Sequence, residues 1–377
     1  MTMSVSSIPV SVRNRLWGKA GGRCQYEGCN TPLWFDTLTQ AEFNTAYIAH
    51  IIADKPDGPR GSLELSAKLS ADLSNLMLMC DEHHRLIDKI DIAGHSVGRL
   101  REMKRKHEER IELLTSIQED KKSHVLLYGA NIGQQSAHVS WHKAAVAMIP
   151  RCYPAETQAL EIGLVNSAFR DDEPHYWEIE QGNLRRQFNE KVRNRLQSGG
   201  IEHLSIFALA PQPLLMVLGH LLSDIPAADV YQLHREPPNW RWQAYDEPFE
   251  FVVNKADGVG QKVALNLSLS AAIDNSRIEK VLGKDIPIWR LTTSPVAPNN
   301  DFLKGREQLT QFRQIFRQLM DEIKYTHGQN AELHVFPAVP VAIAMEMGRV
   351  RMPKADLPLH IYDQSNGKGF QFALTVG

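Results

Sequence analysis

The residue types and spacings that could do chemistry are concentrated in one stretch, NLMLMCDEHHRLID, which runs from Asn75 to Asp88. Cys80 and His83 are three positions apart, and His84 and Asp88 are four positions apart on the same expected helix. Spacings of three and four place two side chains on one helical face, and the two pairs fall on different faces. The stretch therefore has the residues for two separate metal sites.

Two cysteines earlier in the chain complete a set of zinc ligands. Cys24 and Cys29 have four residues between them, and Cys80 and His83 have two. A structural Zn²⁺ site requires four such soft or borderline ligands in a tetrahedron, so we expect a structural zinc here. Two alternatives stay open. His84 could replace His83 as the partner of Cys80, because positions i and i+4 also share a face, or the residues could be ordinary buried cysteines and surface histidines.

The remaining polar residues suggest hydrolysis of a phosphodiester. His84 and Asp88 could bind a divalent cation that coordinates a phosphate oxygen and stabilises a leaving 3′-oxygen. A neutral His50 on an adjacent strand could take a proton from the attacking water. Asn75 could hold that imidazole, or its loop, by hydrogen bonding. These roles are a hypothesis at the level of spacing.

The order of these motifs resembles the HNH endonuclease family, which has a ββα-metal fold. The resemblance covers about residues 20–90 and rests on the cysteine pair, AHII followed by GPRG, NLMLMC and HHxxxD. It implies that His50 is the general base, Asn75 the middle asparagine and His84 a ligand of Mg²⁺ or a similar divalent cation. Asp88 matches the trailing His or Asp of the family, and the four zinc candidates match the zinc knuckle of many members.

One departure from the family pattern concerns the catalytic metal. The position before the base, which is often an Asp, Glu or His ligand, is Ala49 here. The metal then has fewer protein ligands, or Asp57 contributes, or His50 itself binds it. In the GPRG segment, Arg60 could hold a DNA phosphate or belong to a plain surface turn.

Length and composition restrict what the whole chain can be. With 377 residues the chain is too long for one ordinary core, and its net charge of −2 argues against an extended basic nucleic-acid surface. Four cysteines in so long a chain do not form a disulfide framework. No apolar run approaches the roughly 18–20 residues of a membrane helix, and no secretory signal is evident. We therefore expect a cytoplasmic protein without a membrane partner.

The chain is expected to contain three regions: an HNH domain at 1–96, a helical connector at 97–123 and an α/β domain at 124–377. Beyond residue 124, short apolar runs alternate with amphipathic stretches, which predicts parallel sheets with helical crossovers. We expect two Rossmann-like units at about 124–255 and 256–377. The predicted fold class is an α+β head of ββα type joined to an α/β region.

Ligands of α/β proteins bind at the carboxyl ends of the strands. The expected strand ends carry several polar residues, and the WRW segment adds aromatic faces for stacking purines and a cation for phosphate. Packing in a core or between domains is the alternative for both tryptophans. The candidate ligand-binding residues are His234, Arg235, Trp240, Trp242, Thr293 and Ser294.

The pattern HLSIFALAPQPLLMVLGHLLSDIPAADVYQLHR, followed by WRW, resembles the SAVED domain, in which two fused CARF-like units sense cyclic oligonucleotides. An HNH domain followed by SAVED is similar to effector nucleases of the bacterial anti-phage system CBASS. That resemblance implies a cyclic di- or trinucleotide second messenger that drives homo-oligomerisation, from a dimer to higher order. It also implies that the assembled nuclease degrades double-stranded DNA with little sequence preference.

Two other functions stay open. The first is an HNH-type modification-dependent restriction endonuclease whose C-terminal domain reads DNA bases. The second is a zinc-stabilised DNA-binding regulator without catalysis, whose α/β domain binds a metabolite.

Overall fold

The structure is a computed structural model that describes residues 7–35, 41–116, 121–133, 137–163, 169, 171, 173, 175–245, 248–365 and 367–377. Contacts between residues divide the chain into two compact units, 1–117 and 118–377. Among the described residues, no helix has both the length and the apolar composition needed to cross a membrane.

The first unit is built on two antiparallel strands followed by a short helix. Strand β2 is buried along its whole length, and its pairing with β1 places His50 opposite Leu76 and Tyr47 opposite Met79. A 3-10 turn at Leu73–Asn75 leads into β2, and a π-helical turn at Leu86–Ile90 extends α3. The elements of this unit are α1 (Val10–Ala20), β1 (Tyr47–His50), α2 (Ser66–Leu69), β2 (Leu76–Met79), α3 (Asp81–Arg85) and α4 (Val97–Thr115).

Helix α4 belongs to the core of the first unit. Leu100 and Met103 are buried in the same hydrophobic cluster as β2, and Nε2 of His107 is 2.9 Å from the carbonyl oxygen of Ala20. Helix α4 therefore belongs to the first unit and is not the separate connector that the sequence predicts. Residues 117–120 of the predicted connector lie outside the described residues.

The second unit begins with a parallel sheet in the order β4-β3-β6-β7, with β5 also paired to β3. Strand β6, LSIFAL, is almost fully buried, as expected for a central strand covered on both faces. The elements are β3 (Lys122–Gly129), α5 (Trp141–Met148), β4 (Tyr153–Pro154), β5 (Leu160–Ile162), α6 (Tyr176–Phe188), α7 (Asn194–Gln197), β6 (Leu204–Leu209), α8 (Gln212–Leu222) and β7 (Ala228–Val230).

A second sheet follows in the order β13-β12-β11-β9-β10-β8. Its four inner strands are parallel and its two edge strands are antiparallel, so the predicted α/β fold with two sheets is confirmed. The elements are β8 (Glu250–Asn254), β9 (Lys262–Ser268), α9 (Asn275–Leu282), β10 (Ile288–Ser294), α10 (Arg306–His327), β11 (Glu332–Ala338), α11 (Val341–Val350), β12 (Leu359–Ser365) and β13 (Gly369–Val376).

Helices α8 and α11 join the two sheets. Each helix follows a central strand and a proline, Pro211 before α8 and Pro340 before α11, and each is buried on almost every side. They cross at two glycines, Gly219 and Gly348. A Cβ atom on Gly219 would lie 2.0 Å from the carbonyl oxygen of Met345, so only glycine permits this close approach.

Candidate functional site

The four predicted zinc ligands lie together in the first unit. One atom from each of Cys24, Cys29, Cys80 and His83 lies within 4.8 Å of the others. Nδ1 of His83 is 3.0 Å from Sγ of Cys80 and 3.9 Å from Sγ of Cys24. A tetrahedral zinc with bonds of about 2.0–2.3 Å separates its ligands by about 3.5–3.8 Å, so the spacing fits the ion. The cluster contains His83 and not the alternative ligand His84.

The protonation chemistry of the cysteines also fits a bound cation. Burial raises the pKa of the Cys24 and Cys80 thiols above the ordinary value. Burial acts in the same direction on Cys29, but hydrogen bonding to Thr31 outweighs it and lowers the pKa of that thiol. A metal ion would offset the cost of the buried thiolates, because a coordinating cysteine is deprotonated.

His50 ends strand β1 with its imidazole held by the backbone. Nε2 is 2.9 Å from the carbonyl oxygen of Ser70. Because a carbonyl only accepts hydrogen bonds, Nε2 carries the proton and Nδ1 of the neutral ring keeps its lone pair. The geometry therefore selects the tautomer that a general base requires.

Asn75 fixes the backbone that follows His50. Its Nδ2 donates to the carbonyl oxygens of Ile52 at 2.8 Å and Leu69 at 3.2 Å, and its Oδ1 accepts from the Ile52 N–H at 2.8 Å. The side chain is 1% exposed. Asn75 was predicted to hold either the His50 imidazole or its loop, and these hydrogen bonds are to the loop.

His84 lies between a carboxylate and an aromatic ring. Its Nε2 is 3.3 Å from Oδ2 of Asp88, and Tyr47 stacks on it with 5.1 Å between ring centroids. Burial lowers the pKa of His84, and the Asp88 carboxylate opposes that shift only in part. Burial therefore favours the neutral imidazole, which has a lone pair for a cation.

Few protein ligands are available for a catalytic cation. Ala49 is buried in the core at 1% exposure, and the cysteine–histidine cluster is the one group of three or more candidate ligands among the described residues. Asp57 and His50 are not in such a group. His84 and Asp88 supply at most two ligands. Mg²⁺ commonly binds through one or two protein ligands together with water and substrate phosphates, so the donors fit an open site of that kind.

Arg60 is turned into the protein, and its side chain is 6% exposed. The guanidinium donates to the carbonyl oxygens of Ile51 and Ile87, each at 2.7 Å, and to the Asp88 carboxylate at 2.6 Å. The guanidinium is therefore not free for a DNA phosphate. Arg60 does lie in a turn, as the other interpretation has it, but its side chain points into the protein.

Two aromatic residues at these sites are not predicted by the sequence. Tyr26 stacks on His83 with 4.1 Å between ring centroids, and its hydroxyl is 3.0 Å from Nε2 of His95. Tyr47 stacks on His84 because its cross-strand partner, Met79, ends the strand that leads into α3. Neither contact has a signal in residue spacing, since both depend on register across the fold.

A cavity of about 870 Å³ opens in the second unit at the carboxyl ends of its parallel strands. The first residues of both crossing helices contribute to its wall, Gln212 of α8 and Val341 of α11. Unpaired N–H groups and the helix dipole favour anions at such ends.

Two predicted ligand residues, His234 and Arg235, line this cavity. His234 is 2% exposed, and its Nε2 has no hydrogen-bond partner within the described part of the chain. Burial lowers the pKa of His234. A buried polar atom of this kind is rarely left unpaired in proteins, which makes His234 a candidate partner for a ligand or a water molecule.

Four other predicted ligand residues do not line the cavity. Trp240 is 3% exposed and packs edge-to-face with Phe207, with 5.4 Å between the ring centroids. It offers no face to a ligand, so the stacking predicted for it is wrong and the alternative of core packing is right. Thr293 Oγ1 donates to the Val296 carbonyl oxygen at 2.7 Å. The four residues are Trp240, Trp242, Thr293 and Ser294.

Charged residues outside the predicted set also line the cavity. The Arg277 guanidinium lies 4.7 Å from the centre of the Phe370 ring and donates to Gln364. Burial, followed by the nearby Asp171 carboxylate, raises the pKa of Asp363 to about 6. The wall thus contains both cations and a carboxyl group. Arg277, Phe370 and Asp171 gave no signal in sequence, because they come from a helix start, an edge strand and a connecting segment.

Residues 184–376 match a family described as SAVED, the SMODS-associated and fused to various effectors sensor domain. The matched segment is just over half of the 377 residues. The chain belongs to the SAVED family. The SAVED match runs from within α6 to β13, and the first unit lies outside it. No curated protein matches the chain in sequence.

Solved structures similar to the chain include SAVED/CARF-domain receptors. Cap4 of Acinetobacter baumannii with the cyclic trinucleotide 3′3′3′-cAAA has 14% identity and a TM-score of 0.46, over 78% of this chain and 65% of that one. The same receptor with 2′3′3′-cAAA has 13% identity and a TM-score of 0.44, over 74% and 55%. Cap4 of Moraxella osloensis has 13% identity and a TM-score of 0.40, over 75% and 61%. The chain thus spans about 55–65% of the length of these receptors.

Proposed function

We propose that this protein is a metal-dependent HNH endonuclease that a cyclic oligonucleotide activates, and that it degrades double-stranded DNA non-specifically in CBASS-type anti-phage defence. One observation carries the nuclease proposal. His50 keeps a free Nδ1 through its bond to the Ser70 carbonyl, in the same unit as the His84–Asp88 pair and the cysteine–histidine cluster.

In the proposed reaction, Nδ1 of His50 takes a proton from a water molecule as its oxygen attacks the phosphorus atom. The bond between phosphorus and the 3′-oxygen breaks, and that oxygen takes a proton from solvent. His84 would hold a Mg²⁺ or similar cation, which would supply positive charge for the phosphate and the leaving oxygen. Asn75 holds the loop after His50 and thereby its backbone position.

A structural zinc has a separate role in this proposal. Cys24, Cys29, Cys80 and His83 would hold it, and Cys80 precedes α3 while His83 lies in that helix. The zinc would therefore attach the start of α3 to the segment that contains Cys24 and Cys29. His84, the next residue in the helix, would gain a fixed position from that attachment.

Membership of the SAVED sensor family supports ligand control of the nuclease. The cavity has features suited to a nucleotide: two helix N-termini and two arginines for phosphate, and the unpaired His234 and the Asp363 carboxyl for base edges. We propose a cyclic di- or trinucleotide as the ligand. The cyclic trinucleotides named with the Acinetobacter receptors are ligands of those proteins.

The test is plasmid cleavage by the zinc-loaded full chain with Mg²⁺, with and without a panel of cyclic di- and trinucleotides. The proposal expects cleavage only when one of these ligands is present. Cleavage without ligand that depends on DNA methylation would instead identify a modification-dependent restriction enzyme. Tight ligand binding with no cleavage under any condition would identify a regulator without catalysis.

A further inference from the structure

Arg60 connects the two elements that contain the proposed catalytic residues. Its Nε donates to the carbonyl oxygen of Ile51 at 2.7 Å, and one Nη2 hydrogen points to the carbonyl oxygen of His50 at 3.4 Å. On the other side, Nη1 donates to the Ile87 carbonyl oxygen at 2.7 Å and Nη2 to Oδ1 of Asp88 at 2.6 Å. One planar group thus bonds both to the end of the His50 strand and to the helical turn after His84.

The backbone at Arg60 is shaped to permit this arrangement. Its φ is +56°, in the left-handed region that residues with a Cβ rarely adopt. The adjacent Gly61 packs so closely on the preceding turn that a Cβ there would lie 2.4 Å from the Pro56 carbonyl oxygen. Unfavourable backbone conformations of this kind persist where the surrounding contacts determine them, and they are frequent at functional sites.

Asp88 carries the connection on to His84. Its Oδ1 accepts from Arg60, and its Oδ2 is 3.3 Å from Nε2 of His84. A carboxylate only accepts hydrogen bonds, so this contact favours the tautomer in which Nε2 carries the proton and Nδ1 keeps the lone pair. Tyr47 stacks on the same ring at an interplanar angle of 14°. This is the arrangement by which a carboxylate orients a metal-binding histidine.

We propose that Arg60 is a positioning residue that holds the His50 strand and the His84 helix in fixed relation, and that Asp88 orients His84 instead of binding the catalytic metal. The inference rests on the proposed nuclease function for its purpose. It differs from the expectation that Asp88 is a metal ligand, because both carboxylate oxygens already have protein partners.

The deciding measurement is the position of the ring proton on His84. Zinc-loaded full-length protein with ¹⁵N-labelled histidine, studied by NMR, reports which ring nitrogen is protonated, and loss of a signal in His84→Gln assigns the residue. We expect the Nε2–H form in the unaltered chain. In Asp88→Asn and in Arg60→Lys, which keeps the charge but loses the planar fork, we expect a mixture of the two tautomers.

A second measurement is the affinity for Mn²⁺, determined by calorimetry on the same protein. Loss of an orienting partner typically weakens metal binding by about 10–100-fold, and we expect losses of that order in both variants. The matched controls are Arg85→Lys and Asp81→Asn, an exposed ion pair at 2.9 Å on the same helix. We expect both controls to keep the tautomer and the affinity of the unaltered chain.

An unchanged His84 tautomer in Asp88→Asn would overturn the inference. So would complete loss of Mn²⁺ binding in that variant with the tautomer retained, since Asp88 would then be a direct ligand. The NMR measurement of the tautomer requires neither DNA nor cleavage activity. If the unaltered chain cuts no DNA, the proposed function fails while the NMR result still decides the inference. If Arg60→Lys does not fold, Asp88→Asn decides it alone.

Discussion

His50 is the residue whose loss should affect the proposed hydrolysis most directly. Its Nδ1 is the proposed proton acceptor, and removal of a positioned general base typically lowers a rate by about 10²–10⁴-fold. We expect His50→Ala to lose cleavage to that extent, measured as initial rates on plasmid DNA with saturating ligand. Zinc content and ligand affinity should not change, because His50 is neither a zinc candidate nor a residue of the cavity wall, and its imidazole bonds to the Ser70 carbonyl.

The matched control for this substitution is His142→Ala, on the exposed side of α5 in the second unit. It should cut at the rate of the unaltered chain. Cleavage retained in His50→Ala would remove His50 as the base and would leave the nuclease proposal without its proton acceptor.

The zinc proposal predicts a loss of stability when one thiolate is removed. A structural zinc contributes about 10–16 kcal/mol of binding free energy in small zinc-finger peptides, so Cys80→Ser should lose zinc and lower the melting temperature of the first unit. Metal analysis and calorimetry measure both effects. Cys152→Ser is the control, because Cys152 is buried in the second unit at 3% exposure and is not one of the clustered ligands. Full zinc content in Cys80→Ser would contradict the assignment.

Asp363 should make ligand binding depend on pH. Burial and the Asp171 carboxylate raise its pKa from 3.8 to about 6, so the folded chain keeps the neutral form to higher pH than the unfolded chain. The raised pKa of Asp363 therefore contributes to the free energy of unfolding below about pH 4, and this contribution is lost as the pH rises through about 6. An anionic ligand nearby would raise the pKa further. Binding would then take up a proton, and affinity should fall by up to about tenfold per pH unit above about pH 6.

Calorimetric titrations of the protein with the cyclic nucleotide, at several pH values from about 6 to about 8, measure this dependence. His234, Arg235 and Arg277 face the same cavity, so the effect of Asp363 is isolated by subtracting the profile of Asp363→Asn. That variant should have a flatter profile, whereas the exposed control Asp257→Asn should keep the original slope. Parallel profiles for Asp363→Asn and the unaltered chain would rule out proton uptake at Asp363.

At the residue scale, spacing in the sequence predicts which side chains lie together when they belong to the same helix. The zinc candidates were grouped correctly because a separation of three residues places Cys80 and His83 on one helical face. The partners of Arg60 could not be found in this way. They are 9 to 28 positions away, and the bonds exist only because a loop residue with positive φ turns its side chain inward. Trp240 shows the same limit, since stacking on a ligand and core packing have the same sequence pattern.

At the element scale, the crossing of α8 and α11 leaves no room for a Cβ atom at Gly219. Gly219→Ala would bring a Cβ to 2.0 Å from the Met345 carbonyl oxygen, so the helices must separate. We expect a loss of about 1–3 kcal/mol or more in the free energy of unfolding, measured by denaturant titration. Gly182→Ala is the control, because a Cβ there meets nothing within 4 Å. Alanine in an exposed helix should raise stability by up to about 1 kcal/mol.

Unchanged or increased stability in Gly219→Ala would mean that the two helices are further apart than the structure has them. A loss in both variants would point to a general effect on helices and not to the crossing.

The strands and helices of the second unit were largely predictable, because buried parallel strands have continuous apolar sequences and amphipathic helices have a 3.6-residue period. The point at which the chain passes from one sheet to the other was harder to predict. Strand β8, at Glu250–Asn254, precedes the predicted boundary at residue 256, yet it pairs with β10 in the second sheet. An antiparallel edge strand can join either neighbouring sheet, and sequence does not indicate which one. Helix α4 has apolar residues at helical spacing, which predicts packing on one side, but the sequence does not indicate that this side belongs to the core of the first unit.

At the scale of the whole molecule, the charge balance bears on how the nuclease would be controlled. The net charge is −2, so electrostatic attraction of a single chain to DNA should be weak. Several chains joined by a ligand would present several DNA-contacting surfaces at once, and linked sites bind more tightly than separate ones without any new contact. Assembly on the ligand would therefore explain how a nuclease without sequence preference is inactive until a signal arrives.

The last prediction is that the activating cyclic nucleotide converts the chain into a dimer or larger homo-oligomer. Gel filtration with and without the ligand should show that change, and the cleavage rate should rise more steeply than linearly with protein concentration. His50→Ala should assemble equally well and not cut, which separates assembly from hydrolysis. Raising the salt concentration should reduce cleavage before it reduces assembly, because DNA contacts to phosphate weaken steeply with salt. Cleavage by a species that elutes as a monomer, with a rate proportional to protein concentration, would show that ligand control acts within a single chain.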